Sequence, residues 1–150
     1  MEPLLLSIHV VAGIVFVGGS AIATSLFPRY VPVTGADPGQ ERSRAVATAL
    51  HRITRGYSIA GLVVPAAGIV LAFVQGRTGE VWVVLAMVLT AAAGLLLAVQ
   101  IYPRQRDALA TPGERDRLRA LSMLAGIYNV LWTVVVVLMI VRPGAAAEGV

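Results

Sequence analysis

The sequence contains no cysteine, which removes disulfides and thiolate chemistry from any account of it. Charge is scarce: 13% of the 150 residues are charged and 57% are hydrophobic, above the roughly 45–50% usual for soluble domains. Lysine is missing, and all 12 basic side chains are arginine. No Asp or Glu falls within four long runs, Pro3–Pro28, Gly56–Gly76, Val81–Pro103 and Ala120–Val141. Small four-helix drug exporters coupled to ions depend on a membrane-embedded glutamate, so that class fits badly. Met87, Met123 and Met139 are scattered, whereas copper handling favours cysteine or clustered methionine. Paired carboxylates, a nucleophile-elbow serine and a phosphate-cradling loop are missing too. Hydrolytic and phosphoryl-transfer enzymes therefore have no visible catalytic residues here.

What the chain has instead is four uncharged runs of the length a membrane requires. A helix rising 1.5 Å per residue needs about 20 apolar residues to cross a hydrocarbon core of roughly 30 Å. A helix that is apolar all round has no face to give to water. The predicted fold is all-α, a single-domain transmembrane four-helix bundle in contact with the lipid bilayer. Arg29, Arg42, Arg44, Arg52 and Arg55 flank the first connection, and Arg104, Arg106, Arg115, Arg117 and Arg119 lie in or beside the third. Only Arg77 and Arg142 are left for the other side. Short arginine-rich loops stay in the cytoplasm, which predicts both termini outside. The net charge of +4 is then an inner surface facing anionic lipid, with no nucleic-acid partner. Ala21-Ile22-Ala23 has the form of a signal-peptidase site. The segment before it opens Met1-Glu2-Pro3, without positive charge, and Arg29 follows it, so it is read as a permanent first helix.

The phrase "LFPRY" at 26–30 returns as "IYPRQ" at 101–105. An aromatic residue for the headgroup level, a proline that cannot donate to a continuing ladder and an arginine reaching lipid phosphate make a way to end a span. On this reading Phe27 and Tyr102 sit at the interface, and Arg29 and Arg104 are cytoplasmic anchors. After each phrase comes a helix start, "DPGQERSR" at 37–44 and "TPGERDRL" at 111–118. Asp37 or Thr111 serves as N-cap, proline follows, and Gln40 or Glu114 has capping-box spacing. These correspondences divide the chain into two helical hairpins, 1–76 and 77–150, that both begin outside. They are parallel repeats about an axis along the membrane normal.

Membrane helices associate where small residues let backbones approach. The stripes expected to face the bundle are Gly13, Phe16, Ser20 and Ala23 in the first helix and Gly61, Pro65, Gly68 and Ala72 in the second. In the third they are Ala86, Thr90, Gly94 and Ala98, and in the fourth Ser122, Gly126, Asn129 and Thr133. Thr90, Asn129 and Thr133 form the polar interior, and Asn129, near mid-membrane, is placed to hydrogen-bond across it. Pro65 removes one backbone hydrogen bond from the middle of the second helix and bends it, as a fixed kink or a hinge.

His9 continues the small-residue face of the first helix and is expected to point inward, about 10 Å toward the outside from the middle of the span. A histidine at such depth is a candidate haem or metal ligand or proton carrier, or a neutral residue bonded to a backbone carbonyl or water. His51 starts the second helix at the cytoplasmic end. The axial distance between the two histidines exceeds about 20 Å on the same count, so one metal cannot bridge them within a chain. His51 is read as an interfacial polar residue.

Taken together, "LLLSIHVVAGIVFVGG" at 4–19, "LHRITRGYSIAGLVVPAAGIVLA" at 50–72 and "GIYNVLWTVVVVLMIVRPG" at 126–144 resemble a bacterial family of predicted integral membrane proteins, domain of unknown function 2269. The resemblance implies a four-helix protein of the bacterial inner membrane without an assigned activity. The first helix is also similar, more loosely, to those of copper-resistance D-type proteins and the membrane protoporphyrinogen oxidase, which implies haem at His9. Three functional readings follow. The first is a non-enzymatic scaffold or accessory subunit, self-associating or joined to another membrane protein. The others are a haem or metal redox protein using His9 and a small-molecule transporter working as an oligomer around the Pro65 bend.

Overall fold

A computed structural model describes the backbone of residues 2–33, 42–74, 76, 78–111 and 115–144, and the side chains within these except at 2–6, 8, 61–68, 71, 72 and 74. The elements are helical throughout: α1 (Glu2–Tyr30), α2 (Arg44–Val74), α3 (Val81–Leu95), a π-helical turn (Leu96–Ile101), α4 (Tyr102–Ala110) and α5 (Arg115–Val141). Because α3, the π turn and α4 run on without a break, the described chain forms four rods. α1 packs on α2 and α5, and α3 packs on the same two, which closes a ring.

Neighbouring rods run antiparallel. Arg42 and Tyr57 meet α1 at Pro28 and Val15 respectively, so α2 ascends where α1 descends. Likewise Trp132 meets Phe16 while Asn129 meets Ser25. This alternation gathers the C-terminus of α1, the N-termini of α2 and α5, and α4 at one end, and with them most of the arginines.

Among the described residues three stretches are long and apolar enough to cross a membrane: His9–Tyr30, Val81–Ala110 and Arg115–Val141. No more than 28% of any of them is buried, so residues such as Ile14, Val88, Val130 and Ile140 face outward, each at least 60% exposed. Soluble monomers rarely expose apolar patches larger than a few hundred Å². Such a coat fits lipid tails, and the molecule has the build of a membrane protein.

The interior is filled by large side chains. Phe16, Phe27, Leu97, Ile101, Leu121, Tyr128 and Trp132 belong to one buried cluster. Hydroxyls inside it are satisfied by their own helices: Thr24 donates to the Ser20 carbonyl at 2.9 Å and Thr54 to that of Leu50 at 3.0 Å. This back-bonding is how a hydroxyl is kept away from water without an orphaned proton.

Several expectations need correction. The buried face of α5 is Leu118, Leu121, Ala125, Tyr128, Trp132 and Val135, one residue before each member of the expected stripe. Ser122, Gly126 and Thr133 are exposed. One residue is about 100° of helix, and the turn follows from volume, since Tyr128 and Trp132 are the bulk that fills the space beside Phe16. In α3 the expected face holds at Ala86 and Thr90 and then passes to Ala93 and Leu97. Phe27 is fully buried among the helices, beside His51.

Neither repeated proline stops its helix at once. Pro28 lies inside α1, which continues to Tyr30, and Pro103 lies in a rod that continues to Ala110. A proline ring clashes with the carbonyl four residues earlier in an α-helix. Just before Pro103 the chain widens into the π turn, where the Tyr102 N–H donates to the Leu97 carbonyl, five residues back. Of the proposed helix starts, 37–44 and 111–118, residues 37–41 and 112–114 lie outside the described residues, as do the side chains of Gly61, Pro65 and Gly68. In the remainder, α2 begins only at Arg44, Thr111 closes α4, and α5 is helical from Arg115.

Candidate functional site

Polar side chains gather at two levels of the bundle. At mid-depth α1 and α5 are joined by hydrogen bonds between side chains. The Tyr128 hydroxyl donates to Ser20 Oγ at 2.8 Å, both residues buried, and Asn129 Nδ2 donates to Ser25 Oγ at 3.0 Å. Around them Phe16 stands edge-on to both Tyr57 and Trp132, with ring centroids 5.4 and 5.5 Å apart, an arrangement that sets positive ring edges against negative faces. Tyr57 reaches across from α2 to donate to the Val15 carbonyl at 3.1 Å. Its ring passes over Gly19, where a Cβ would come within 2.6 Å of Tyr57 Cζ. Glycine is required there by space.

The second level lies at the arginine-rich end. His51 of α2 stacks on Tyr102 of α4 with centroids 4.8 Å apart and planes 7° from parallel, and Phe27 of α1 stands at 6.4 Å. Its Nδ1 is 3.3 Å from Oε1 of Gln105, which is fully buried. The tautomer with its proton on Nδ1 donates to that oxygen. Burial lowers the His51 pKa below its ordinary 6.5, the Gln105 hydrogen bond works in the opposite direction, and the guanidiniums of Arg106 and Arg55 lower it further. The imidazole is thus held as a neutral wedge that ties three helices together. At the rim, Arg42 donates to the carbonyls of Val31 at 2.9 Å and Pro28 at 3.3 Å, groups that the end of α1 leaves without intrahelical donors.

The residues singled out by sequence are dispersed. His9 is exposed on α1 and not turned inward. It lies 18 residues, about 27 Å of axis, from Phe27, beside which His51 packs. Thr90 is buried, Asn129 is half-buried and bonded to Ser25, and Thr133 is exposed with its hydroxyl donating to the Asn129 carbonyl. Arg29 and Arg104 are exposed at the arginine-rich end, and the Arg104 guanidinium bonds the Gln100 side chain. Pro65 lies within α2, and its side chain is outside the described residues. Gln105 was not anticipated, although the spacing Leu97, Ile101, Gln105, Ala108 carries it along a buried face.

Among the described residues no group of three or more histidine and carboxylate side chains is placed to hold a metal ion. An exposed His9 also differs from an axial haem ligand enclosed by apolar walls. Searches of family models, curated proteins and solved structures returned no match to this chain.

Proposed function

We propose that this chain is a non-enzymatic scaffold or accessory subunit of the bacterial inner membrane, related to the predicted membrane proteins that its helices resemble. In this reading α2 supplies a fourth span through its uncharged run Gly56–Gly76, the arginine-rich end is cytoplasmic and both termini are outside. The two hairpins, 1–76 and 77–150, are copies of one unit. Support for the copying comes from Phe27 and Tyr102, which hold equivalent places in the repeated phrase and both flank the His51 ring.

The observation that carries the scaffold reading is the filled interior. Tyr128, Trp132, Phe16 and Phe27 occupy the space that a conducting path would need, and Thr90 and Thr133 do not face one another across it, since Thr133 is exposed. Meanwhile Ser122 and Gly126 present small side chains to the outside, where another membrane helix can approach closely.

The lack of cysteine makes topology a clean test. Thr78→Cys and Thr111→Cys, both at exposed positions, are compared in intact cells with an impermeant maleimide. The Thr78→Cys variant is expected to react at once, and the Thr111→Cys variant only after permeabilisation. The reverse pattern refutes the orientation. Protein purified from its native membrane is expected to be colourless, and a Soret band lost in His9→Ala would replace the scaffold reading with the haem one.

A further inference from the structure

The first and third connections, with their flanks, carry ten arginines against five carboxylates. That basic loops stay inside accounts for the excess, but not for where two of the arginines stand. Arg55 follows His51 by four residues on α2, and Arg106 follows Tyr102 by four on α4, so each starts one turn, about 6 Å, from one ring of the stacked pair. Because α2 and the rod ending in α4 run antiparallel, Arg55 lies on the membrane side of the rings and Arg106 on the side of the connections. Both guanidiniums act on the His51 imidazole, so two cations converge on a single half-buried ring. Their countercharge is thin. Arg55 pairs with no carboxylate among the described residues, and Arg106 meets only its neighbour Asp107, at 3.5 Å and with both side chains more than 60% exposed, a kind of pair that contributes little.

We propose that the seam between α2 and α4 seats the phosphate of one anionic phospholipid, held by Arg55 and Arg106 from the two sides of the His51–Tyr102 stack. Guanidiniums suit this role, since they donate to phosphate oxygens in pairs. The inference rests on the reading in which α2 crosses the membrane, and depth then commits the seat to lipid. His51 precedes the run Gly56–Gly76 by five residues, about 7.5 Å of rise, and the headgroup layer occupies about 5–8 Å beyond each face of the hydrocarbon core. Ile59, one turn past Arg55 and 62% exposed, offers apolar surface to the acyl chains of the same molecule. A soluble phosphate has no use for that surface.

The test uses the full chain in phosphatidylcholine nanodiscs with a rising fraction of phosphatidylglycerol. Native mass spectrometry counts the lipid kept on release, and one phosphatidylglycerol is expected to be retained along a saturable curve. Arg55→Gln and Arg106→Gln, both at exposed positions, should each weaken retention about five-fold, equivalent to about 1 kcal/mol per arginine at a membrane surface. Arg117→Gln and Arg119→Gln together remove as much charge from α5, outside the seam, and should leave retention unchanged. NMR of the imidazole reads the same event locally, in a His9→Gln background that leaves His51 as the one histidine of two. His51 is faced by Phe27 of α1, by Tyr102, Gln105 and Arg106 of α4 and by Arg55 of its own helix. An anion between the guanidiniums offsets their repulsion of the imidazolium, so phosphatidylglycerol should move the His51 titration to higher pH, and should cease to do so saturably once both seam arginines are replaced. Retention that never saturates, or that falls equally in the seam and α5 variants, shows a diffuse basic surface and overturns the proposal. So does an equal NMR shift from inorganic phosphate in pure phosphatidylcholine, which would mark a seat for soluble anions. The cell labelling at positions 78 and 111 separates the two failures, since a correct topology without saturable retention loses the seat alone.

Discussion

Replacing Gly19 by alanine should destabilise the protein, and replacing Tyr57 first should reverse the sign. In isolation the change favours the helix, since alanine exceeds glycine by about 1 kcal/mol in a helix interior. Against that stands the position of Tyr57. A Cβ at residue 19 would lie 2.6 Å from Cζ and 2.9 Å from Cε2 of that ring, so the ring has to move. Displacement gives up the bond from its hydroxyl to the Val15 carbonyl, worth about 1 kcal/mol, and the edge-on contact with Phe16, worth about another 1 kcal/mol. The expected net cost is about 1 kcal/mol. In a Tyr57→Ala background neither contact remains to be lost, and Gly19→Ala should stabilise by about 1 kcal/mol. The swing of about 2 kcal/mol is the coupling of a double-mutant cycle. It is read from unfolding of the purified protein in mixed micelles as the fraction of denaturing detergent rises. Tyr57→Phe is the intermediate case, because it keeps the two ring carbons but removes the hydroxyl, the atom nearest the new Cβ, together with its bond to Val15. Only the edge-on contact of about 1 kcal/mol then opposes the helical gain of about 1 kcal/mol, and Gly19→Ala should be close to neutral. If Gly19→Ala has the same sign and size with Tyr57 present as in the Tyr57→Ala background, the close approach does not govern this interface and the reasoning fails.

Three further outcomes follow from the two polar levels. His51 binds its proton less readily folded than unfolded, so its contribution to stability is fully present above the unfolded value of about 6.5. It declines as pH falls from there toward the lower folded value, and levels off beneath it. Unfolding measured from pH 8 to pH 5 should show this slope, and His51→Gln should flatten it. Gln105→Leu removes a buried amide whose Nε2 has no partner, so its cost should stay within about 1.5 kcal/mol, whereas Gln105→Ala should cost about 2–4 kcal/mol through the cavity it leaves. In the leucine variant the His51 pKa, followed by NMR of the imidazole protons, should fall further, because the hydrogen bond that raises it is gone. For the bond between Tyr128 and Ser20, Tyr128→Phe and Ser20→Ala should each cost about 1 kcal/mol, and the double variant scarcely more than the costlier single one, measured by the same unfolding assay.

The helices long and apolar enough to cross a membrane were legible because lipid would impose one demand along a whole run, and the stretches ending at Tyr30, Ala110 and Val141 satisfy it whatever packs beside them. Which face of a helix turns inward depends on local volumes instead. In α1 the expected face of Phe16, Ser20 and Ala23 is buried, since the largest and the smallest side chains there share one stripe. In α5 they do not. Ser122 and Gly126 lie beside the line of Leu121, Ala125, Tyr128 and Trp132, and the rule that small residues face inward selected the wrong one of two adjacent stripes. The aromatic line won because two rings fill a bundle centre that glycines would leave empty, and voids forfeit dispersion contacts.

Pro103 was misread for a related reason. A proline ends a helix only where the chain has no other way to relieve its ring, and here a single wide turn relieves it and lets α4 continue with Gln105 and Ala108 buried. The continuation is what brings Gln105 under His51, so the polar cluster at the arginine-rich end exists because the proline was accommodated rather than obeyed. The two halves of the chain part company at this point. Both supply an aromatic residue from the same phrase to the same imidazole, but only the first half supplies an imidazole. A bundle of two equal hairpins would carry two such wedges. This one carries a single wedge where α1, α2 and α4 meet, while α5 is joined to α1 by apolar packing and by hydrogen bonds between uncharged side chains.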